Sequence, residues 1–395
     1  MAVARPWHAT QHQVMETTNE PNRPSIVLPR RTILRGAAFT TAGLVAGSVA
    51  SACAGTRAAW TARPGTSAPV ALAAASAAPA VPSASQVATA AASPAASAVP
   101  DHDAEAEAVV KRFLGGEWQQ VPGYGNQPIE PVMDGDTKVF NMTISPIVHL
   151  LSATLAPVDA LGFNGTWPGP MMRVTEGDKV RAIFTNNMDE STGIHFHGQE
   201  VPNAMDGVPF VTQPPIKPGE QFTYEFTANP SGSHMYHSHH NATDQVGRGL
   251  LGAFIVDPKD PAQSYANKYG VSQEIVWISN DAFGGFTING RQFPATAPIV
   301  AKQGDQVLIR FMNEGVMTHP WHLHGQPMRI VARDGYPLGT AEFTADTLGV
   351  NPGERWDAII DCRNPGAWAF HCHILPHAEG PHGMYGMVTA LVVQA

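Results

Sequence analysis

The sequence predicts an all-β fold of two β-sandwich domains, preceded by a signal segment and a disordered linker. Short runs rich in Val, Ile, Phe and Thr alternate with Gly, Pro and Asn turns, which is the pattern of antiparallel strands. The runs at 180–184 and 307–311 are examples, and each follows a Gly-Asp turn. No strong helical period interrupts this pattern in the body of the chain.

An internal duplication defines the two domains. The offset that separates Gly177 from Gly304 also separates His195 from His322, and the residues around both pairs are similar. A repeat of this length indicates two homologous domains, because the units of a solenoid are only about 20 to 50 residues long.

The chain divides into four parts. We assign residues 1–52 to a signal segment, 53–117 to an Ala/Pro/Ser-rich linker with a short helix, 118–260 to the first domain and 261–395 to the second. The linker has almost no large apolar side chains, so burial cannot offset the entropy of ordering it. Its last part, 101–114, contains residues that favour a helix.

The signal segment is indicated by a basic pair and an apolar run. Arg30 and Arg31 precede an apolar stretch that ends in small residues up to Ala52. This order predicts export by the twin-arginine route, the alternative being a basic turn before a buried helix. Cleavage after Ala52 would leave Cys53 as a candidate lipid anchor. We therefore expect a periplasmic, extracellular or lipid-anchored protein at the outer face of the membrane.

Composition narrows the class of protein. The 395 residues are 43% hydrophobic and 14% charged, which is enough apolar material for two cores. A formal net charge of −9 argues against a nucleic-acid partner and gives no basic patch for a membrane. Three cysteines are too few for a disulfide framework, and we expect Cys362 to be a small buried residue or a free thiol.

A cluster near the C-terminus predicts a metal centre. It reads His371-Cys372-His373 and is followed by His377. Successive side chains of a strand point to opposite faces, so His371 and His373 would serve one centre and Cys372 another. A thiolate, imidazoles and a weak thioether are the ligands of a blue-copper electron-transfer site.

Three further clusters each contain a His-x-His pair, which presents two imidazoles on one face of a strand. They are His195-Phe196-His197, His237-Ser238-His239 and His319-Pro320-Trp321-His322-Leu323-His324. One isolated pair is more often structural. Four pairs, one of them around a cysteine, supply eight imidazoles, which is enough for a second centre of three metal ions.

These clusters resemble the four signature motifs of the multicopper oxidases, the family of laccases and of cuprous and manganese oxidases. The motifs occur in family order between residues 194 and 387, and the resemblance runs from about residue 118 to the C-terminus. It implies cupredoxin-like Greek-key domains and four copper ions per chain. It also implies one-electron oxidation of a phenolic, aromatic or metal-ion substrate, coupled to four-electron reduction of O2 to water.

The resemblance also implies ligands for the blue copper. These are His319, Cys372, His377 and an axial methionine. We prefer Met387 to Met384 as the axial ligand, because Met387 leaves the expected length for the closing strand. His382 keeps the family spacing to Met387, so it is a minor alternative to His377.

The three-copper cluster receives ligands from both domains. By resemblance, the lone copper is bound by His195 and His322, and the coupled pair by His197, His237, His239, His324, His371 and His373. Asp206 resembles the family's acid near this cluster, where a carboxylate orients ligands and supplies protons. The alternative for Asp206 is an ordinary Asp-Gly turn. The duplication places Ser238 where the second domain has Cys372, so we expect no blue copper in the first domain.

Two-domain members of this family form the cluster between the first domain of one subunit and the second domain of the next. The resemblance therefore implies a homotrimer, a closed ring of such contacts. A copper nitrite reductase would keep its blue site in the first domain, and Ser238 argues against this alternative. A non-enzymatic electron-transfer or copper-binding protein would need only the blue site, which leaves eight histidines unexplained.

Overall fold

Residues 101–281 and 285–395 are described by the computed structural model of the chain. The expected signal segment, Arg30, Arg31, Cys53 and the linker up to residue 100 lie outside the described residues. Within the described ranges, none of the helices combines the length and the apolar character needed to cross a bilayer.

The first domain contains ten strands. They are β1 (Pro128–Ile129), β2 (Val132–Asp134), β3 (Thr137–His149), β4 (Val158–Phe163), β5 (Met171–Thr175), β6 (Lys179–Asn186), β7 (Ile194–His197), β8 (Gln221–Thr227), β9 (Gly232–Ser238) and β10 (Leu251–Asp257). One sheet has the order β1-β5-β10-β9-β7, and the facing sheet has the order β2-β3-β6-β8 with β4 paired to β3. The core between them is rich in aromatic residues, including Phe163, Phe184 and Tyr236.

The second domain repeats this arrangement with fourteen described strands. They are β11 (Val271–Asn280), β12 (Thr287–Ile288), β13 (Ile299–Lys302), β14 (Gln306–Asn313), β15 (His319–Leu323), β16 (Met328–Arg333), β17 (Tyr336–Pro337), β18 (Phe343–Ala345), β19 (Thr347–Val350), β20 (Arg355–Asp361), β21 (Gly366–Cys372), β22 (Glu379–Gly380), β23 (Gly383–Met384) and β24 (Val388–Gln394). Its main sheets run β12-β11-β14-β20-β16-β17, with β18 on β16, and β13-β24-β21-β15-β19.

The sheets are mixed, whereas the strand pattern suggested antiparallel pairing. Strand β3 pairs with β6 in parallel, and β11 pairs with β14 in the same way. Strands β10 and β24 also have a parallel neighbour, β5 and β13 respectively. Where the chain crosses between the two sheets, strands that are far apart in sequence become neighbours. The alternation of apolar and polar residues within one strand does not show whether its neighbour runs parallel or antiparallel to it.

Helix α1 (His102–Leu114) occupies the segment where a short helix was predicted. Asp101 caps it by accepting a hydrogen bond from the amide of Ala104 at 3.1 Å. Acidic side chains in its first turn and basic ones in its last turn suit the helix dipole. Its buried Phe113 packs with Phe293 and Met384 of the second domain. The other helices are short: α2 (Glu117–Gln120), α3 (Ala242–Gly247) and α4 (Tyr265–Tyr269).

Candidate metal centres

The end of β21 and the start of β15 bring together the predicted blue site. Cys372 Sγ lies 3.6 Å from His319 Nδ1 and 3.8 Å from His377 Nδ1. All three side chains are buried, and their donor atoms lie within 4.8 Å of one another. Burial raises the pKa of the Cys372 thiol to about 11, so a bound cation would have to displace its proton.

This donor set fits copper. One sulfur and two imidazole nitrogens, closed off from solvent, are the ligands of a blue-copper site. The ring of Phe286 stacks on His377 with centroids 4.1 Å apart, which fixes that imidazole. His382, the alternative to His377, instead lies on the surface beside Glu105 of helix α1. The geometry therefore favours His377.

The two candidate axial methionines lie in different surroundings. Met387 is fully buried in the same apolar cluster as Cys372. Its backbone carbonyl accepts a hydrogen bond from the amide of Cys372, and its amide donates to the carbonyl of His377. Met384 is half-buried and packs towards Phe113 of helix α1. These contacts support Met387.

Asp281 was not predicted from the sequence, yet it touches the blue site. Its Oδ2 lies 3.4 Å from His319 Nε2, with both side chains inaccessible to solvent, although the contact is too poorly aligned for a good hydrogen bond. Burial alone would raise the pKa of Asp281, but His319 and the amides of Val316 and Met317 lower it overall. A carboxylate on Nε2 leaves Nδ1 of His319 free to face Cys372.

Four imidazoles of the first domain form one cluster, which we call half-site 1. It consists of His195, His197, His237 and His239. The ring centroid of His195 lies 5.5 to 5.8 Å from the ring centroids of the other three histidines. The cluster lines an open cavity of about 370 Å³. Burial, reinforced by Arg355, lowers the pKa of His197 to about 3, so this ligand is neutral at neutral pH, as metal binding requires.

Four imidazoles of the second domain form half-site 2. It consists of His322, His324, His371 and His373. His324 Nε2 and His371 Nε2 are only 3.1 Å apart, and both His324 and His373 are exposed. Among the described residues, no ring contact joins half-site 1 with half-site 2. One chain therefore carries two separate halves of the eight-imidazole set.

Backbone contacts fix the tautomers of several of these histidines. A carbonyl can only accept, so the ring nitrogen facing it must donate. His195 Nδ1 donates to the carbonyl of Asp206 at 2.7 Å, and His371 Nδ1 donates to that of Cys372 at 3.0 Å. His237 makes the same kind of bond to Ser238. In each case Nε2 is left for a metal ion.

Asp206 lies beside half-site 1. Besides the carbonyl contact, its carboxylate Oδ1 is 3.4 Å from His195 Nδ1, and the side chain is half-exposed. Gly207 follows with φ 92°, a conformation that favours glycine. The contact with His195 is what an orienting carboxylate requires, and the role of Asp206 stays a prediction.

The first domain has a network of uncharged side chains where the second has its candidate blue site. Thr192, Ser238 and Gln245 are all fully buried. Gln245 Oε1 accepts hydrogen bonds from Thr192 Oγ1 at 2.9 Å and from Ser238 Oγ at 2.5 Å. The duplication aligns Thr192 with His319 and Ser238 with Cys372. Uncharged side chains thus satisfy one another where the other domain has metal-binding groups.

Comparison with protein families identifies both domains. Residues 148–261 match one family model described as multicopper oxidase, and residues 267–394 match a second with the same description. The chain belongs to the multicopper oxidase family. Membership implies copper as the cofactor of the centres described above.

Similar proteins agree with this assignment. Laccase-2 of Botryotinia fuckeliana is 30% identical over 56% of this chain and 42% of its own length. The iron transport multicopper oxidase FET3 of Candida albicans is 44% identical over 53% of this chain and 36% of its own length. This multicopper oxidase therefore spans less than half the length of these relatives. A blue copper oxidase structure from Nitrosomonas europaea is 32% identical, with a TM-score of 0.62, over 65% of this chain and 86% of that chain.

Proposed function

We propose that this protein is a copper-dependent oxidase. It couples one-electron oxidation of a small reducing substrate to four-electron reduction of O2 to water. The observation that carries the proposal is the buried triad of His319, Cys372 and His377. Its member Cys372 is adjacent on strand β21 to His371 of half-site 2. A lone electron-transfer site would have no use for the eight further imidazoles gathered in the two half-sites.

Four copper ions per chain equivalent fit the donor atoms. His319, Cys372, His377 and Met387 would hold the blue copper. His195 and His322 would hold the lone copper of the cluster, and the coupled pair would be held by His197, His237, His239, His324, His371 and His373. When bound, copper supplies one-electron redox chemistry at the blue site and reduction of O2 at the cluster.

The residues of the chain orient the ligands and handle protons. The backbone carbonyls of Asp206, Ser238 and Cys372 keep Nδ1 of three histidines protonated, so that Nε2 faces the centre. The half-exposed carboxylate of Asp206 lies on the rim of half-site 1. From there it can take up protons from solvent and pass them towards the cluster.

We propose that the active assembly is a homotrimer. The two half-sites of one chain do not touch, and exposed imidazoles occur in both. A cluster built from half-site 1 of one subunit and half-site 2 of the next would complete the ligand set and close a ring. Sedimentation should give a trimeric mass at working concentration, and a fully active monomer would contradict this assembly.

The substrate class and cellular location are also proposals. The reductant is a phenolic or aromatic compound or a reduced metal ion, and the names of the relatives, a laccase and an iron transport oxidase, support both classes. We propose export by the twin-arginine route through Arg30 and Arg31, with a lipid anchor at Cys53. Mass spectrometry of the mature N-terminus tests both proposals. An intact Met1 would contradict export with cleavage of the signal, and an unmodified Cys53 would contradict the lipid anchor.

Copper content together with visible and EPR spectra tests the proposed activity. Purified, copper-loaded protein should contain about four copper ions per chain, with an intense thiolate band and a near-ultraviolet shoulder from the coupled pair. One copper with the thiolate band alone would indicate an electron-transfer protein. Two copper ions without the shoulder, with nitrite turnover, would indicate a nitrite reductase.

A further inference from the structure

Two apolar side chains protrude from the first domain at one turn. Phe210 and Val211 are each 78% exposed, the highest values among the large apolar residues that the structure describes. Single exposed apolar residues are common, but two neighbours at the tip of one loop form a patch that water solvates poorly. We call this pair the apolar tip.

The apolar tip is held rigidly. The amide of Phe210 donates to the carbonyl of Gln213 at 2.8 Å, and the amide of Thr212 donates to that of Val208 at 2.9 Å. The Thr212 hydroxyl accepts from the amide of Val208 at 2.9 Å. Phe210 itself has φ 67°, a left-handed conformation that is unfavourable for a residue with a side chain.

The loop that bears the tip is fixed to half-site 1. A Cβ on Gly207 would come within 1.9 Å of the Ile194 carbonyl oxygen, so only glycine lets the loop approach strand β7 this closely. The preceding residue, Asp206, contacts His195. The ring of Phe210 lies 6.1 Å from that of His240, which follows the ligand His239. The tip therefore stands at the rim of half-site 1.

Half-site 2 lies beside an open cavity that has apolar residues in its wall. Half-site 2 borders a cavity of about 500 Å³, to which Pro327 and Trp368 contribute together with His322 and His324. Pro327 is exposed, and Trp368 is half-buried. Contact between half-site 1 of one copy and half-site 2 of another would bring the apolar tip to this face.

We propose that Phe210 and Val211 anchor the contact between subunits by packing onto the second domain of a neighbouring copy, beside its half-site 2. This inference rests on the proposed trimeric function and adds the residues that hold the ring together. Burial in the neighbour accounts for the exposure of the pair, and the hydrogen-bonded turn keeps the ring of Phe210 ready for docking. The interface thus places hydrophobic contact directly beside the shared metal ligands.

The test is the double substitution Phe210→Ser/Val211→Ser in the full chain. Removing two side chains that become buried should weaken each subunit contact roughly 100-fold or more. Sedimentation should then show monomers at a concentration where the wild type is trimeric. The thiolate band should remain, because the blue site lies within one chain, while the copper of the cluster and its near-ultraviolet shoulder should be lost. Val132→Ser/Met133→Ser, a pair of exposed apolar residues on β2, is the matched control and should leave the trimer intact.

The outcomes separate this inference from the proposed function. A double variant that stays trimeric with its full copper content would overturn the anchor, while the trimer itself would stand. A monomeric wild type would overturn the trimer and the anchor together. Val211→Glu is the second variant in case the double variant folds poorly: it should also give monomers with a thiolate band, and a trimer would again overturn the anchor.

Discussion

Complementation between two inactive variants is the sharpest test of a shared copper cluster. One variant, His237→Ala/His239→Ala, loses half of half-site 1. The other, His322→Ala/His324→Ala, loses half of half-site 2. Each variant alone should lack O2 reduction, because every cluster in its ring would contain a damaged half. Both should keep the thiolate band, because neither touches the blue-site triad.

The magnitude follows from the separation of the half-sites. In a ring assembled at random from equal amounts of both variants, an intact cluster needs half-site 1 from the second variant and half-site 2 from the first. Each condition is met half of the time, so about one quarter of the clusters should be intact. Activity should vary with the product of the two fractions and reach its maximum at equal amounts.

The assay is oxygen consumption and copper content after co-expression with two different affinity tags. Sequential purification on both tags isolates rings that contain both variants. Each such trimer has one productive junction, so about one third of the clusters in the isolated rings should be intact. If each chain built its cluster from its own two domains, every cluster would carry a lesion and the mixed rings would be inactive. Absence of recovery in rings shown to contain both variants would therefore refute the shared cluster.

Three further predictions concern single residues. Met387→Leu should raise the reduction potential of the blue site, because loss of a donor disfavours the cupric state, at a cost below about 1.5 kcal/mol in unfolding free energy; Met384→Leu should leave the potential unchanged, and potentiometry compares them. Asp281→Asn should weaken copper retention at His319 roughly 10- to 100-fold in chelator competition, and unchanged retention would contradict its orienting role. Burial raises the pKa of Glu314 from 4.5 to about 8, so the folded apoprotein keeps this carboxyl protonated where the unfolded chain ionises. The unfolding free energy of the apoprotein should therefore decrease as the pH rises from about 4.5 to 8. In denaturant titrations, Glu314→Gln should remove this part of the pH dependence.

The relative placement of the candidate ligands could be predicted from sequence because it depends on local geometry. Alternation along a strand puts His371 and His373 on one face and Cys372 on the other, whatever the rest of the fold does. The structure keeps this division, with Cys372 beside His319 and His371 beside His324. The repeat offset likewise aligned Ser238 with Cys372 without any knowledge of the sheets.

The remaining features depend on contacts between distant segments. Asp281 follows β11, which reaches the blue site because it pairs in parallel with β14, and no motif near Asp281 signals that pairing. The position of Met387 is set by backbone bonds to Cys372 and His377 around an irregular loop. The exposure of Phe210 could not be read from its sequence neighbours either, since the apolar run from Val208 to Val211 resembles a buried strand.

In the proposed trimer, the division of ligands between the domains would link copper binding to assembly. In the first domain the buried polar groups Thr192, Ser238 and Gln245 satisfy one another, so that region needs no metal to fold. In the proposed trimer the cluster ligands are split between two chains, so the full affinity for its copper would exist only where half-sites meet. By thermodynamic linkage, copper must then tighten the subunit contact by the same factor by which assembly tightens copper binding. Chelation should therefore dissociate the ring more readily at low protein concentration, while the blue site, complete within one chain, should lose its copper independently of concentration.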